Sequence, residues 1–251
     1  MIYFVGAGPG APDLITLRGK ELITRADQII YAGSLVNGEL LAWAKPACMA
    51  YNSASMTLEE VIERFKAGER KKQMTVRLHT GDPALYGAIR EQMDRLDELG
   101  FSYELVPGVS SFSAAAAALK AEYTLPGISQ TLIITRVSGR TGVPEHEDLR
   151  LLASHGASLA IFLSAALIGE VREKLLEGGY PPDTPAAIVY KASWPEERIL
   201  RGTIDTLPRL QEESGITKTA LILVGGFLGT GYERSRLYDP GFSHEYRDAR
   251  K

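Results

Sequence analysis

The chain has 251 residues, 45% of them hydrophobic and 24% charged, with 28 basic against 31 acidic side chains and a formal charge of −3. This globular composition excludes a disordered chain, a collagen-like repeat and a coiled-coil rod, and the slight acidity argues against a general nucleic-acid binder, which carries a basic surface. The length suits one to two domains with a sizeable core, and the single cysteine, Cys48, excludes an internal disulfide and fits a reducing compartment. No apolar run approaches the ~18 residues of a membrane helix. The first residues, MIYFVGAGPG, have no basic region ahead of the apolar run. No signal peptide is therefore expected, and the expected location is the cytoplasm.

Apolar runs alternate with amphipathic stretches, the pattern of an α/β chain. Ile2–Val5 reads as a buried strand, Thr16–Ala26 as a helix with Leu17 and Leu22/Ile23 on one face, and Gln28–Tyr31 as a second strand. Leu35–Ala44 reads as a helix stopped by Pro46. Thr57-Leu58-Glu59-Glu60 is a capping-box signature opening a helix to about Ala67. Met74–His79 reads as a strand, Ala84–Leu99 as a helix with Ile89, Met93 and Leu96 on its apolar face, and Phe101–Val106 as a strand ended by Pro107-Gly108. We count five strands in this half, four of them with these bounds, at a spacing that predicts a parallel sheet.

Ser110–Leu119 follows as a helix with five consecutive alanines, and Glu122–Gly127 as a connector. Strands are predicted at Gln130–Thr135, Ser158–Leu163, Pro185–Tyr190, Ile199–Gly202 and Ala220–Val224. Helices are predicted at Leu167–Glu177 and Ile204–Glu213, the second blemished by Pro208. Arg136–His146 is a polar, Gly-rich loop. A domain change is expected near residues 108–128, giving domains of 1–112 and 113–231. The segment from Tyr232 to the end, rich in charge and aromatics, fits neither pattern.

Three Gly/Pro turns follow strands of the first half. Gly6-Ala7-Gly8-Pro9-Gly10-Ala11 fits the loose form of the dinucleotide fingerprint, but Pro9 and Pro12 lack backbone donors, the helix starts late, and no carboxylate follows the second strand for a ribose. A tight turn and a backbone approach to some other ligand stay open beside it. Thr80-Gly81-Asp82-Pro83 reads both as a helix start, with Asp at the N-cap and Pro at N1, and as a loop at the carboxyl end of a strand, where α/β sheets bind ligands. Pro107-Gly108-Val109-Ser110-Ser111 reads the same two ways. The four histidines, His79, His146, His155 and His244, show no metal-ligand spacing, and no metal is expected. Nucleophile-elbow and Walker motifs are absent. Cys48 reads as a small buried hydrophobe. Arg136 and Arg140 form a mild basic cluster, either a solvated face or an anion contact. Tyr190 and Trp194 flank Lys191 after a strand, as packing or as a rim.

Taken in order, Val5 to Thr16 (VGAGPGAPDLIT), Ala26 to Tyr31 (ADQIIY), Thr80 to Gly87 (TGDPALYG), Val106 to Ser111 (VPGVSS) and Thr135-Arg136 resemble the tetrapyrrole methylases over essentially the whole chain. Within that family, Tyr31 to Asn37 (YAGSLVN), Ser138 to Thr141 (SGRT), Tyr190 to Pro195 (YKASWP) and Ser235 to Pro240 (SRLYDP) are similar to the branch that methylates C11 of precorrin-4 in cobalamin biosynthesis. Leu78 to Ile89 is similar to the cobalt-dependent form. Another family member acting at a different ring position is the alternative. A nicotinamide oxidoreductase and a non-catalytic tetrapyrrole carrier are competing classes, and a diphthamide synthase, which shares the methylase architecture but acts on a protein histidine, is a nearer rival than either.

The resemblance implies two α/β domains, an N-terminal parallel sheet and a C-terminal mixed sheet, with the cofactor S-adenosylmethionine in a crevice between them, and a homodimer. It implies cofactor contacts at Pro9, Thr80, Gly81, Asp82, Leu85, Ser110, Ser111, Leu163, Tyr190, Ala192 and Ala220. A small-molecule tetrapyrrole is the implied partner, with neither nucleic acid nor membrane. Arg136 and Arg140 are expected to meet its carboxylates, and Tyr31, Ser34 and His79 are substrate candidates by position. Uroporphyrinogen methylases carry an aspartate where this chain has Ala32, which disfavours their reaction and leaves the catalytic base unassigned.

Overall fold

The computed structural model describes residues 1–33 and 35–250. The chain divides into two compact units, Met1–Ala114 with Lys191–Glu196, and Ala115–Tyr190 with Glu197–Lys251. Among the described residues no helix is long and apolar enough to cross a membrane.

The first unit is a five-stranded parallel sheet. Its strands are β1 (Ile2–Gly6), β2 (Gln28–Tyr31), β3 (Met49–Asn52), β4 (Thr75–His79) and β5 (Tyr103–Val106), in the spatial order β3-β2-β4-β1-β5. Strand periodicity sends alternate residues to opposite faces. Val5, Ile29, Val76 and Leu78 pack on one face with Leu22 and Ile23 of α1 (Leu17–Arg25). Ile2, Phe4 and Ile30 pack on the other, beneath Val61, Ile62 and Phe65 of α2 (Leu58–Arg70) and Leu96 of α3 (Arg90–Glu98). The neighbours β1 and β4 send their connections to opposite faces, the topological switch point at which α/β sheets bind ligands.

The predicted capping box is present: the Thr57 side chain accepts from the Glu60 amide and the Glu60 side chain from the Thr57 amide. Four expectations need correction. Leu17 is 88% exposed, because it stands at the first helical position beside its cap Thr16. The stretch predicted as the helix Leu35–Ala44 forms only a 3-10 helix, Gly38–Trp43, capped by Asn37. The helix predicted from Ala84 begins at Arg90, since Tyr86 and Ala88 hold positive φ of 55° and 48° that no α-helix tolerates. β3 completes the count of five strands at an edge of the sheet, where the sequence had drawn no bounds.

The second unit holds a mixed sheet. Its strands are β6 (Leu132–Thr135), β7 (Ser158–Ile161), β8 (Pro185–Tyr190), β9 (Arg198–Thr203) and β10 (Ala220–Val224), in the order β6-β7-β10-β8-β9, with only β6 and β7 parallel. Its core joins Leu159, Ile161, Ile188 and Ile222 to Val171 and Leu175 of α6 (Ile168–Glu177) and Leu207 of α7 (Leu207–Ser214). Pro208 stands in the first turn of α7, where proline is tolerated, so it opens that helix rather than blemishing it. A short helix, α5 (Leu149–Ala153), was not foreseen. Helix α4 (Ser111–Leu119), the alanine-rich one, contains the division between the units.

Backbone contact closes the ligand end of the first sheet. A Cβ on Gly108 would lie 2.1 Å from the Gly81 carbonyl oxygen and 2.7 Å from Gly6 Cα. Gly108→Ala should therefore cost about 2–4 kcal/mol in urea unfolding. Gly142→Ala, where nothing lies within 4 Å of the added carbon, should be near neutral. Equal unfolding midpoints would show that the loops can separate freely.

Candidate functional site

Three loops leave the carboxyl ends of β1, β4 and β5 together. Gly8 and Gly81 pair as an isolated antiparallel bridge, each amide donating to the other's carbonyl at 3.3 and 2.8 Å, both residues at positive φ. Asp82 ties the second loop to the third: its Oδ2 accepts from the Gly108 amide at 2.9 Å and its Oδ1 from the Ala84 amide at 2.7 Å. Asp82 is thus a loop clamp and not a helix N-cap. Ser110 is buried, and its carbonyl accepts the Ser113 and Ala114 amides at the start of α4, with Ser111 beside it.

The first loop has few donors left for an anion. The Ala7 amide donates to the His79 carbonyl, that of Gly8 to Gly81, and that of Ala11 to Ser193 Oγ; Pro9 and Pro12 have none. The turn is followed by a 3-10 helix, Pro12–Leu14, and α1 begins only at Leu17. A pyrophosphate needs free amides at a helix N-terminus, so the geometry rejects the dinucleotide reading.

A segment distant in sequence braces this loop. The Trp194 indole lies where a side chain on Gly10 would stand, 2.1 Å from an ideal Cβ, and its Nε1 donates to the Pro9 carbonyl at 2.9 Å. Lys191 Nζ stands 5.2 Å from the Trp194 ring centroid, a cation–π distance. Lys191 and Ser193 adopt positive φ, and Ala192 between them is buried. The Tyr190–Pro195 marker is therefore a strap on the first loop. Neither of the two sequence readings, packing or rim, anticipated that partner.

On the sheet face beneath α2 and α3, β4 carries two polar residues, Arg77 and His79. Arg77 is 7% exposed; its Nε donates to Gln92 Oε1 at 3.1 Å and its Nη1 to the Ile30 carbonyl at 3.3 Å. His79 is 4% exposed, stacks on Phe4, and has a buried Nε2 with no hydrogen-bond partner among the described residues. Both line a cavity of about 230 Å³ that also touches Thr80 and Leu85. Sequence reasoning named His79 but missed Arg77. The available signal was a charged residue inside a strand of a sheet expected to be parallel, where strands are buried on both faces.

The remaining candidates are spread out. Tyr31 packs with the α1 face, opposite His79. Ser34 lies outside the described residues. In the second unit, Leu163 follows β7 with a φ of 53° and 67% exposure, a strained and outward-facing position. Tyr190 and Ala220 are paired neighbours on β8 and β10, both half-buried. Arg136 donates to the carbonyls of Thr141 and Gly142 at 2.9 and 2.7 Å and so organises its own loop, whereas Arg140 is exposed.

Burial, and then the charge of Arg77, push the His79 pKa down from 6.5 to about 3. Between those values the unfolded chain binds a proton that the folded chain refuses. The His79 contribution is therefore complete above pH 6.5 and falls toward pH 3, by about 1.4 kcal/mol per pH unit. Between pH 7.5 and pH 5.0 the wild type should lose about 2 kcal/mol more in urea unfolding than His79→Gln. Equal losses would mean that His79 protonates freely in the folded chain.

Residues 1–208 match the family described as Tetrapyrrole (Corrin/Porphyrin) Methylases. The chain is 52% identical over 251 residues, covering 100% of itself and 97% of the relative, to a cobalt-precorrin-4 C(11)-methyltransferase of Methanocaldococcus jannaschii. It is 46% identical to a precorrin-4 C(11)-methyltransferase of Mycobacterium tuberculosis, over 94% of this chain and 95% of the relative. The solved structure of a cobalt precorrin-4 methyltransferase superposes with a TM-score of 0.89 at 47% identity, over 91% of this chain and 96% of that one. A uroporphyrin-III C-methyltransferase from Thermus thermophilus complexed with S-adenosyl homocysteine superposes at 0.74 with 26% identity, over 90% of this chain and 92% of that one. With its glycine-clamped loops at the switch point and this likeness along its length, the chain belongs to the tetrapyrrole (corrin/porphyrin) methylases.

Proposed function

We propose that the chain is an S-adenosylmethionine-dependent methyltransferase that methylates C11 of precorrin-4 or cobalt-precorrin-4, giving the corresponding precorrin-5 in cobalamin biosynthesis. The observation that carries this reading is the 52% identity along the whole chain to a relative of that activity.

The chemistry of the loop cluster fits the donor. An adenosyl sulfonium has no pyrophosphate, so a first loop whose amides are engaged and whose prolines lack donors is no obstacle to it. Pro9, Thr80, Gly81, Asp82, Leu85, Ser110, Ser111 and Ala192 are the first-unit residues assigned to hold it, largely through backbone and apolar surface. When bound, S-adenosylmethionine supplies an activated methyl group on a sulfonium.

The chain's own share is placement. The substrate carbon is made nucleophilic by enamine-type donation from its pyrrole nitrogen, so a strong base is not needed to create the nucleophile. Holding reactants in line can contribute about 7–11 kcal/mol. The Gly8–Gly81 bridge, the Asp82 clamp and the Trp194 strap tie the loops to one another, which supports a placement role. Arg140, exposed on its Gly-rich loop, is assigned to a substrate carboxylate. Arg136 holds the loop's shape.

Calorimetry with S-adenosylhomocysteine should give one saturable site per chain, with no heat from NAD. Loss of that binding would overturn the donor assignment. Incubation with precorrin-4, with and without cobalt, should add one methyl group located at C11 by NMR; a methyl at another carbon would move the chain to another branch of the family. Arg140→Ala should raise the substrate KM about tenfold, as for the loss of one charged contact, with S-adenosylhomocysteine affinity unchanged. The reverse pattern would remove Arg140 from substrate binding.

A further inference from the structure

The cavity under α2 and α3 contains an electrostatic imbalance. β4 is the middle strand of its sheet, and Arg77 and His79 sit on the face that carries Ile2, Phe4 and Ile30. Arg77 is a buried cation whose acceptors, Gln92 and the Ile30 carbonyl, are both neutral. Among the described residues it makes no ion pair. Burial alone lowers its pKa, to about 10, with no carboxylate acting to raise it. The one carboxylate on the cavity lining, Glu91, is exposed. Beside the guanidinium, the buried Nε2 of His79 has no partner among the described residues. A buried charge without a counter-ion is costly, and a buried polar atom without a hydrogen bond adds to the cost. Both features lie on one cavity, and an anion seated there would relieve both.

We propose that this cavity receives one carboxylate of the tetrapyrrole substrate, with Arg77 as its counter-charge and His79 as a second hydrogen-bond donor. The inference rests on the methylase reading above. A carboxylate suits the site better than a phosphate: one planar guanidinium matches one carboxylate, and a dianion would remain half-compensated. A neutral imidazole protonated at Nε2 donates without adding charge. Thr80 and Leu85 line the same cavity and are assigned to the methyl donor, so a carboxylate held here fixes the macrocycle relative to the donor loop. Arg77 and His79 are then positioning residues for the substrate.

The test uses the full chain and side-chain nitrogen NMR of its four histidines, with the His79 signal identified by its absence in His79→Gln. The probes are propionate, uroporphyrin III as a stable acetate- and propionate-bearing tetrapyrrole, S-adenosylhomocysteine, 5′-methylthioadenosine and chloride. Uroporphyrin III and propionate should shift the His79 signal saturably. Arg77→Gln should weaken uroporphyrin III binding about tenfold or more, as for loss of a charged partner, while S-adenosylhomocysteine affinity stays within about threefold. If Arg77→Gln does not fold, Arg77→Lys and His79→Gln carry the comparison, Lys keeping the charge without the planar fork. Unchanged uroporphyrin III affinity in these variants, or a His79 shift with chloride alone, would overturn the inference. A shift with S-adenosylhomocysteine but not with 5′-methylthioadenosine would overturn it too, by giving the cavity to the donor's carboxylate. Failure of the wild type to bind S-adenosylhomocysteine would instead count against the methylase reading. Loss of the carboxylate response with that binding intact would count against this inference alone.

Discussion

Three backbones at the carboxyl end of the first sheet approach more closely than any side chain permits. Gly6, Gly108 and the Gly81 carbonyl share a space in which even a methyl group would overlap. The Gly8–Gly81 bridge and the Asp82 clamp depend on that approach, because both join loops that only glycine lets meet. The result is a surface of backbone in which most amides of the first loop already have acceptors. The carboxylate of Asp82 within it has both oxygens engaged by backbone amides. What the surface offers a ligand is shape, with its remaining carbonyl and apolar groups, which would suit one that carries its own reactive group.

The other face of the same strands works by the opposite principle. Where β4 would ordinarily bury two more aliphatic side chains, it buries Arg77 and His79. Substitutions that merely improved packing there would remove polar atoms that the fold holds at some cost in stability. Polar groups retained at such a cost tend to serve a site, since stability and function are optimised against each other. The unit thus presents a cradle built largely of backbone and a cationic recess walled in part by Thr80 and Leu85.

What the sequence revealed, and what it hid, follows the range of the interactions involved. β1 and β2 are short, largely apolar runs ahead of a glycine, and β4 alternates Val76 and Leu78 with polar residues ahead of Gly81, so local pattern suffices for them. β3, Met49-Ala-Tyr-Asn52, is an edge strand with only half-buried or exposed side chains, so it has no comparable hydrophobic signal. Asp82-Pro83 has the local chemistry of a helix start, yet Asp82 is recruited by the Gly108 amide across 26 positions. The Trp194 strap lies further still from its partner Pro9, 185 positions away, and no periodicity could reveal it. The order of the loop motifs along the chain was legible; their mutual hydrogen bonds were not, being products of tertiary approach.

The strap also constrains how the protein is made. Lys191–Glu196 belongs to the first unit although the strands on either side of it, β8 and β9, belong to the second. A nascent chain released as far as Ala114 therefore carries the whole parallel sheet but leaves the Pro9 carbonyl and the Ala11 amide without their later partners. The ligand end of the sheet is completed only after residue 196 has emerged, when most of the second sheet has already been synthesised. Neither half can be cut out as one continuous stretch without taking a piece of the other, so rearrangements that shuffle whole domains would break this enzyme where simple beads-on-a-string architectures survive.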